Sequence, residues 1–252
     1  MLAVLFHDVG NIFGRDNHQK KIGEAYDKAL THAGRDRSEW LILQKLVDSH
    51  CGVAIDGTKD TINGLSRGTA YNIDGNLVSM GDIAAVLRFA DELAEGPQRT
   101  SDFISQHLAL PKDSEIYHQY ANSVNYCIDK RNKRVVLTCS ISVGSNMKSI
   151  DEFDEDFKTL MRFIVERIEK LNDERRYNRF YSDWLEPFKR LEITINIEDD
   201  SKYKRHLGEI ILPEINDKVI PDSQKGHLKN QHPQYDESKI LEAILERVNM
   251  GS

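Results

Sequence analysis

The stretch VLFHDVGN, Val4 to Asn11, decides how this chain is read. A short apolar run leads into His7 and Asp8, and Gly10 follows at once. An aspartate has two oxygens, so it can bridge two divalent ions, and a neutral imidazole offers a nitrogen to one of them. The apolar run predicts that the pair sits at a buried helix end, where a carboxylate needs a cation partner. Taken alone, such a pair is more often an ordinary polar end to a buried segment than a metal site. The flanking sequence has to decide.

The first ~110 residues read as helical. NHQKKIGEAYDKALTHAG carries helix formers and stops at Gly34; DRSEWLILQKLVDSH places Trp40, Leu43, Leu46 and Val47 on one stripe. Residues 52–78 are rich in Gly, Asp, Thr and Asn, which predicts a long, mobile loop bordering the site. SMGDIAAVLRFADELAE is a helix with Ser79 and Asp82 placed as a capping box and Gly96-Pro97 as the stop.

After Pro111 the period changes. SVNYCIDKRNKRVVLTCSISV alternates about Lys130–Lys133 and predicts a β-hairpin. A long helix follows, with Ser149 and Glu152 as its capping box and Ile150, Phe153, Phe157, Leu160, Ile164, Ile168 and Leu171 on its apolar face. RLEITINIED is a third strand. Residues 199–235 are polar and carry three of the six prolines, so a loosely ordered stretch is expected; DESKILEAILERVN is a terminal amphipathic helix. The expected organisation is a mainly α chain. It has a helical domain over 1–110, an appended α+β element over 111–198 (a three-stranded sheet plus the long helix), and a tail over 199–252.

LFHDVGN, GRDNHQKKIGEAY, LVDSHCG and VLRFADELAE occur in an order that resembles the HD superfamily of metal-dependent phosphohydrolases. The resemblance covers residues 1 to about 105 and implies an all-helical fold. It also implies that His7 and Asp8 are the HD pair and Asp91 the late metal ligand. His18 and His50 would be accessory histidines, holding a second ion or acting at the phosphate, and Arg15 a phosphate contact. The family's first metal-binding His lies upstream of the pair, where this chain has only six residues. A missing upstream helix is expected; the alternatives are a ligand from elsewhere, or a degenerate site. The whole chain is also similar to HD domains with conserved extensions in bacterial conflict systems, which accompany chaperone-type ATPases.

The chemistry suits these residue types. One or two divalent ions (Mn, Fe, Ni, Co or Mg) would acidify a water and relieve phosphoryl charge. Asp8 and Asp91 would anchor them. His50 or His18 would complete the second site or protonate the leaving oxygen, and Arg15 or Arg99 would grip a phosphate. Arg88 and Arg99 also fit structural ion pairs with Asp91 and Glu92. The expected activity is hydrolysis of a nucleotide or cyclic nucleotide phosphoester. The rivals are a non-catalytic module that senses a nucleotide or assembles a protein partner or homo-oligomer, and a nuclease on single strands.

Composition narrows these choices. The formal charge is −7 over 252 residues, which disfavours non-specific binding to a polyanion, although a local groove through Arg99, Arg175, Arg176 and Arg179 would still permit it. EKLNDERRYNRFYSDW fits a solvated helix running into a packed aromatic end better than a nucleic-acid surface. EGPQRTSDF fits either a phosphate-binding helix start or a plain cap. The longest apolar run, MLAVLF, is too short to span a bilayer and lacks the features of a signal peptide. Cys51, Cys127 and Cys139 form no zinc spacing or disulfide framework, which points to the cytoplasm.

Overall fold

The computed structural model describes residues 2–9, 21–29, 37–50, 54, 57–65, 70–73, 75–100, 112–144, 147–201, 203–216 and 228–251. Most of them are helical, and two sheets are present. They fall into two compact units, one drawn from Met1–Asp91 with Tyr177–Glu186, the other from Glu92–Arg176, Pro187–Lys218 and Gln224–Ser252.

The first unit begins with α1 (Leu2–Phe6), α2 (Ile22–Ala29) and α3 (Arg37–His50). Tyr26, fully buried, joins the three. Its ring lies 5.5 Å from Phe6 and 4.9 Å from Trp40, and its hydroxyl donates to Glu39 at 2.6 Å. A Cβ on Gly23 would stand 3.2 Å from the Trp40 ring, so glycine is what lets α2 approach this closely. Leu43, Leu46 and Val47 are buried, as the stripe on α3 predicts. The flanks of the predicted second helix, Asn17–Lys20 and Leu30–Gly34, lie outside the described residues.

The expected loop over 52–78 is not structureless. It holds an antiparallel ribbon of β1 (Ala70–Ile73) and β2 (Asn76–Ser79), with Ala70 opposite Ser79 and Ile73 opposite Asn76. Gly75 turns the chain at φ +81, and its N–H donates to Asn72 Oδ1 at 2.9 Å. The Asp-Gly pair at 74–75 is a strong hairpin signal, outweighed in the sequence reading by the polarity around it. Ahead of the ribbon, Ile62 is fully buried and a 3₁₀ turn spans Asn63–Leu65. Helix α4 (Met80–Leu93) then starts on Ser79, whose Oγ accepts the Asp82 N–H at 3.3 Å. Met80, Ala84 and Leu87 are buried at helical spacing.

The second unit holds a four-stranded sheet, not the three strands expected. Its order is β3 (Val124–Asp129), β4 (Arg134–Val143), β5 (Arg190–Asp199), β6 (His206–Ile211). The predicted hairpin is β3–β4. β4 and β5 run parallel and the outer pairs antiparallel. Two parallel neighbours need a crossover, and α6 (Glu155–Tyr181) lies between them in sequence, with α5 (Lys112–Ser123) ahead of the hairpin. β6 lies within the stretch expected to be loose. As an edge strand it has one paired side, and a bulge at Ile197/Glu198 and Gly208 interrupt its alternation, so its own pattern is weak. The tail ends in α7 (Leu228–Gln231) and α8 (Glu237–Gly251), whose Ile240, Leu241, Ile244 and Val248 are buried.

Two further expectations are corrected. Asp154, not Ser149, caps the long helix: its Oδ1 accepts the Phe157 N–H at 2.6 Å, while Ser149 precedes a separate 3₁₀ turn and makes no side-chain cap. The basic stretch near the end of α6 is not solvated. Arg175 is wholly buried, and its guanidinium donates to the carbonyls of Phe188 and Lys189 and to Asn172 at 2.6 Å. Arg176 and Arg179 are buried too; Arg179 donates to the Glu186 carbonyl at 3.0 Å. A guanidinium carries five donors, and Arg175 Nη1 and Arg179 Nε direct theirs to turn carbonyls instead of water.

Candidate metal centre

All the site residues described below belong to the first unit. His7 and Asp8 lie in the turn that ends α1. The apolar run before them is not wholly buried: Ala3 points inward, but Val4 and Leu5 are 61% and 63% exposed. The pair therefore occupies a half-open position. The side chains of His7, Asp8 and Asp91 are 19%, 42% and 32% exposed, and that of His50 only 2%.

Each histidine is oriented by its own backbone. His7 Nδ1 meets the Val4 carbonyl at 2.8 Å, and His50 Nδ1 meets the Val47 carbonyl at 2.5 Å. A carbonyl only accepts, so both rings carry hydrogen on Nδ1 and turn a bare Nε2 outward. His7 Nε2 lies 3.6 Å from Asp91 Oδ1 and 3.7 Å from Asp8 Oδ2; His50 Nε2 lies 3.8 Å from Asp8 Oδ1. The two rings meet edge to face, 5.3 Å apart. Ligand atoms of His7, Asp8 and Asp91 all fall within 4.8 Å of one another, although Asp8 and Asp91 are far apart in sequence.

These separations exceed hydrogen-bond lengths. They are close to the ~3–3.5 Å expected between atoms sharing an ion through bonds of ~2.1 Å. The donor set, imidazole nitrogen with carboxylate oxygen, suits a divalent ion. Asp8 offers one oxygen toward each histidine. Without an ion, Asp91 beside the ring holds the His7 pKa above its ordinary value; burial opposes the shift, and the Val4 carbonyl and the charges of Asp8 and Asp91 reinforce it.

The structure brings together four of the six residues singled out in sequence. Arg15 and His18 lie outside the described residues, as does Cys51. Arg88 turns to the Thr61 hydroxyl, the Lys59 carbonyl and the Tyr177 ring. The cations on Glu92 are Arg167 and Lys170, not Arg88 or Arg99, a pairing that no local spacing signals. Arg99 stands on a 3₁₀ turn, Pro97–Arg99; the rest of EGPQRTSDF from Ser101 lies outside the described residues. The basic groove that a nuclease would need is absent among the described residues, because Arg175, Arg176 and Arg179 are buried.

A model of the HD-CE family matches residues 1–171. The chain belongs to the HD-CE family. Its members are HD domains with conserved extensions, and the match to this HD-CE chain runs from the HD pair through β3 and β4 into α6. No curated protein and no solved structure matches it. Among the described residues, no helix of the HD-CE chain is long and apolar enough to cross a membrane.

Proposed function

We propose that this HD-CE chain is a metal-dependent phosphohydrolase acting on a nucleotide or cyclic nucleotide phosphoester. One observation carries the reading: Asp8 directs its two oxygens to the Nε2 atoms of two histidines, with Asp91 facing the first. His7, Asp8 and Asp91 would hold one divalent ion, and His50 beside Asp8 would serve a second. A bound ion supplies an acidified water and relief of phosphoryl charge. The chain supplies orientation: the Val4 and Val47 carbonyls fix both rings, and the half-open carboxylates leave room for a phosphate. Arg15 would grip that phosphate, and His18 or His50 would protonate the leaving oxygen. Mn, Fe, Ni, Co and Mg all fit such donors to differing degrees.

The HD core is residues 1–110, with 111–198 and 199–252 as appendages, and the chain would take a protein partner or a second copy. A cytoplasmic setting agrees with the free Cys127 and Cys139.

The test is Asp8→Ala, melted with and without manganese. Wild type gains about 2.7 kcal/mol at manganese one hundred times above its Kd, and the variant gains none and hydrolyses no phosphoester. The Asp8 side chain is 42% exposed, so the metal-free variant stays within about 1 kcal/mol of wild type. Equal gains in both proteins would sink the reading. Metal binding without hydrolysis of any nucleotide phosphoester would leave a sensor.

A further inference from the structure

Helix α3 ends at His50, and the carbonyls of a last helical turn have no donor within the helix. The Ser49 carbonyl finds one outside it, because Thr61 Oγ1 donates to it at 2.5 Å. Thr61 Oγ1 in turn accepts from Arg88 Nη1 at 3.0 Å. A hydroxyl has a single hydrogen and a guanidinium can only donate. Arg88 therefore commits the Thr61 hydrogen to Ser49. Arg88 lies one turn before Asp91 on α4, on the same face. A chain of hydrogen bonds thus runs from the helix that carries Asp91 to the residue beside His50.

The middle of this chain is clamped. The Tyr177 ring lies 4.4 Å from the Arg88 guanidinium, and its hydroxyl donates to Asp60 at 2.9 Å while accepting the Ile62 N–H at 3.0 Å. Tyr181 donates to the same Asp60 oxygen at 2.6 Å. Both residues flanking Thr61 are held by these aromatic hydroxyls. At the far end, the His50 ring is locked to its own helix through Val47, so its direction follows the end of α3.

We infer that Thr61 and Arg88 are positioning residues, which set the end of α3 so that His50 Nε2 faces Asp8. This rests on the metal reading only in giving His50 a ligand's task. The test uses the full chain with Thr61→Val, Thr61→Ser, His50→Gln and the Thr61→Val/His50→Gln double variant. Ring ¹H–¹⁵N spectra of the metal-free proteins come first: Thr61→Val shifts or broadens the His50 signals, and Thr61→Ser keeps them. Manganese titration by calorimetry follows. Thr61→Val weakens one of the manganese steps about tenfold, as loss of an outer-shell partner does, and Thr61→Ser restores it. In the His50→Gln background Thr61→Val weakens nothing further, a non-additivity that general loosening of the fold would not produce. Unchanged His50 signals in a folded Thr61→Val protein, or equal weakening in both backgrounds, overturns the inference. If wild type takes up no manganese, the metal reading falls, and the ring spectra alone still decide whether Thr61 positions His50.

Discussion

Two neighbouring carboxylates on α4 meet different surroundings. Asp91 faces an imidazole nitrogen at 3.6 Å and is about one-third exposed. Glu92 is buried and meets Arg167 at 2.9 Å and Lys170 at 2.7 Å; Arg167 also grips Glu95. The second arrangement is closed: cations already lie at contact distance, and Glu92 and Arg167 are almost shut off from water. The first is spaced for something to enter. The comparison separates acidic groups built to hold a structure from acidic groups arranged to hold an ion. Distance and exposure make the distinction, not the number of charges.

The closed cluster offers the larger effect. Arg167→Ala would leave Glu92 and Glu95 facing a cavity without their guanidinium. Breaking a buried pair by removing one partner costs about 3–5 kcal/mol. Urea unfolding measures it, and a loss under about 1 kcal/mol would mean that the cluster is not closed.

The cluster of His7, Asp8 and Asp91 responds differently. Asp91→Asn should leave metal-free stability within about 1 kcal/mol of wild type, because the side chain is partly exposed. It should shrink the manganese-dependent gain in melting temperature, since an amide oxygen carries no charge to offer the ion. If Asp91→Asn unfolds the metal-free protein, Asp91 belongs with Glu92 as a structural group.

What the sequence shows of each cluster follows from where its information lies. The alternation of Val135, Leu137, Cys139 and Ile141 is local, so β4 is readable in ten residues. The HD pair, VDSH and RFADEL are also local pieces, and all four residues that converge, His7, Asp8, His50 and Asp91, lie in them. Thr61 carries no such mark. Its task is set by Arg88 and Tyr177, distant in sequence, and it lies in a stretch whose Gly and Asp content reads as loop. The burial of Arg175 is likewise set by the turn at Phe188–Lys189, so a basic helix reads as solvated until the turn is in place.

The smallest effect tests Glu92 itself. Burial raises its pKa above the ordinary 4.5, although Arg167 and Lys170 pull it the other way. A raised folded pKa means that the native state holds the proton more tightly than the unfolded chain does. The resulting contribution to stability is full below the unfolded pKa and is lost as pH rises through the folded one. Glu92→Gln cannot ionise, so it lacks this loss. Unfolding free energies of wild type and Glu92→Gln, compared from pH 4.5 upward, should therefore draw together or cross in the variant's favour as pH rises, until the folded carboxyl has ionised. If instead the Glu92→Gln protein falls further behind wild type as pH rises, the ionised carboxylate gains more from Arg167 and Lys170 than it loses by burial. The closed cluster would then be a stabilising ion network in its own right.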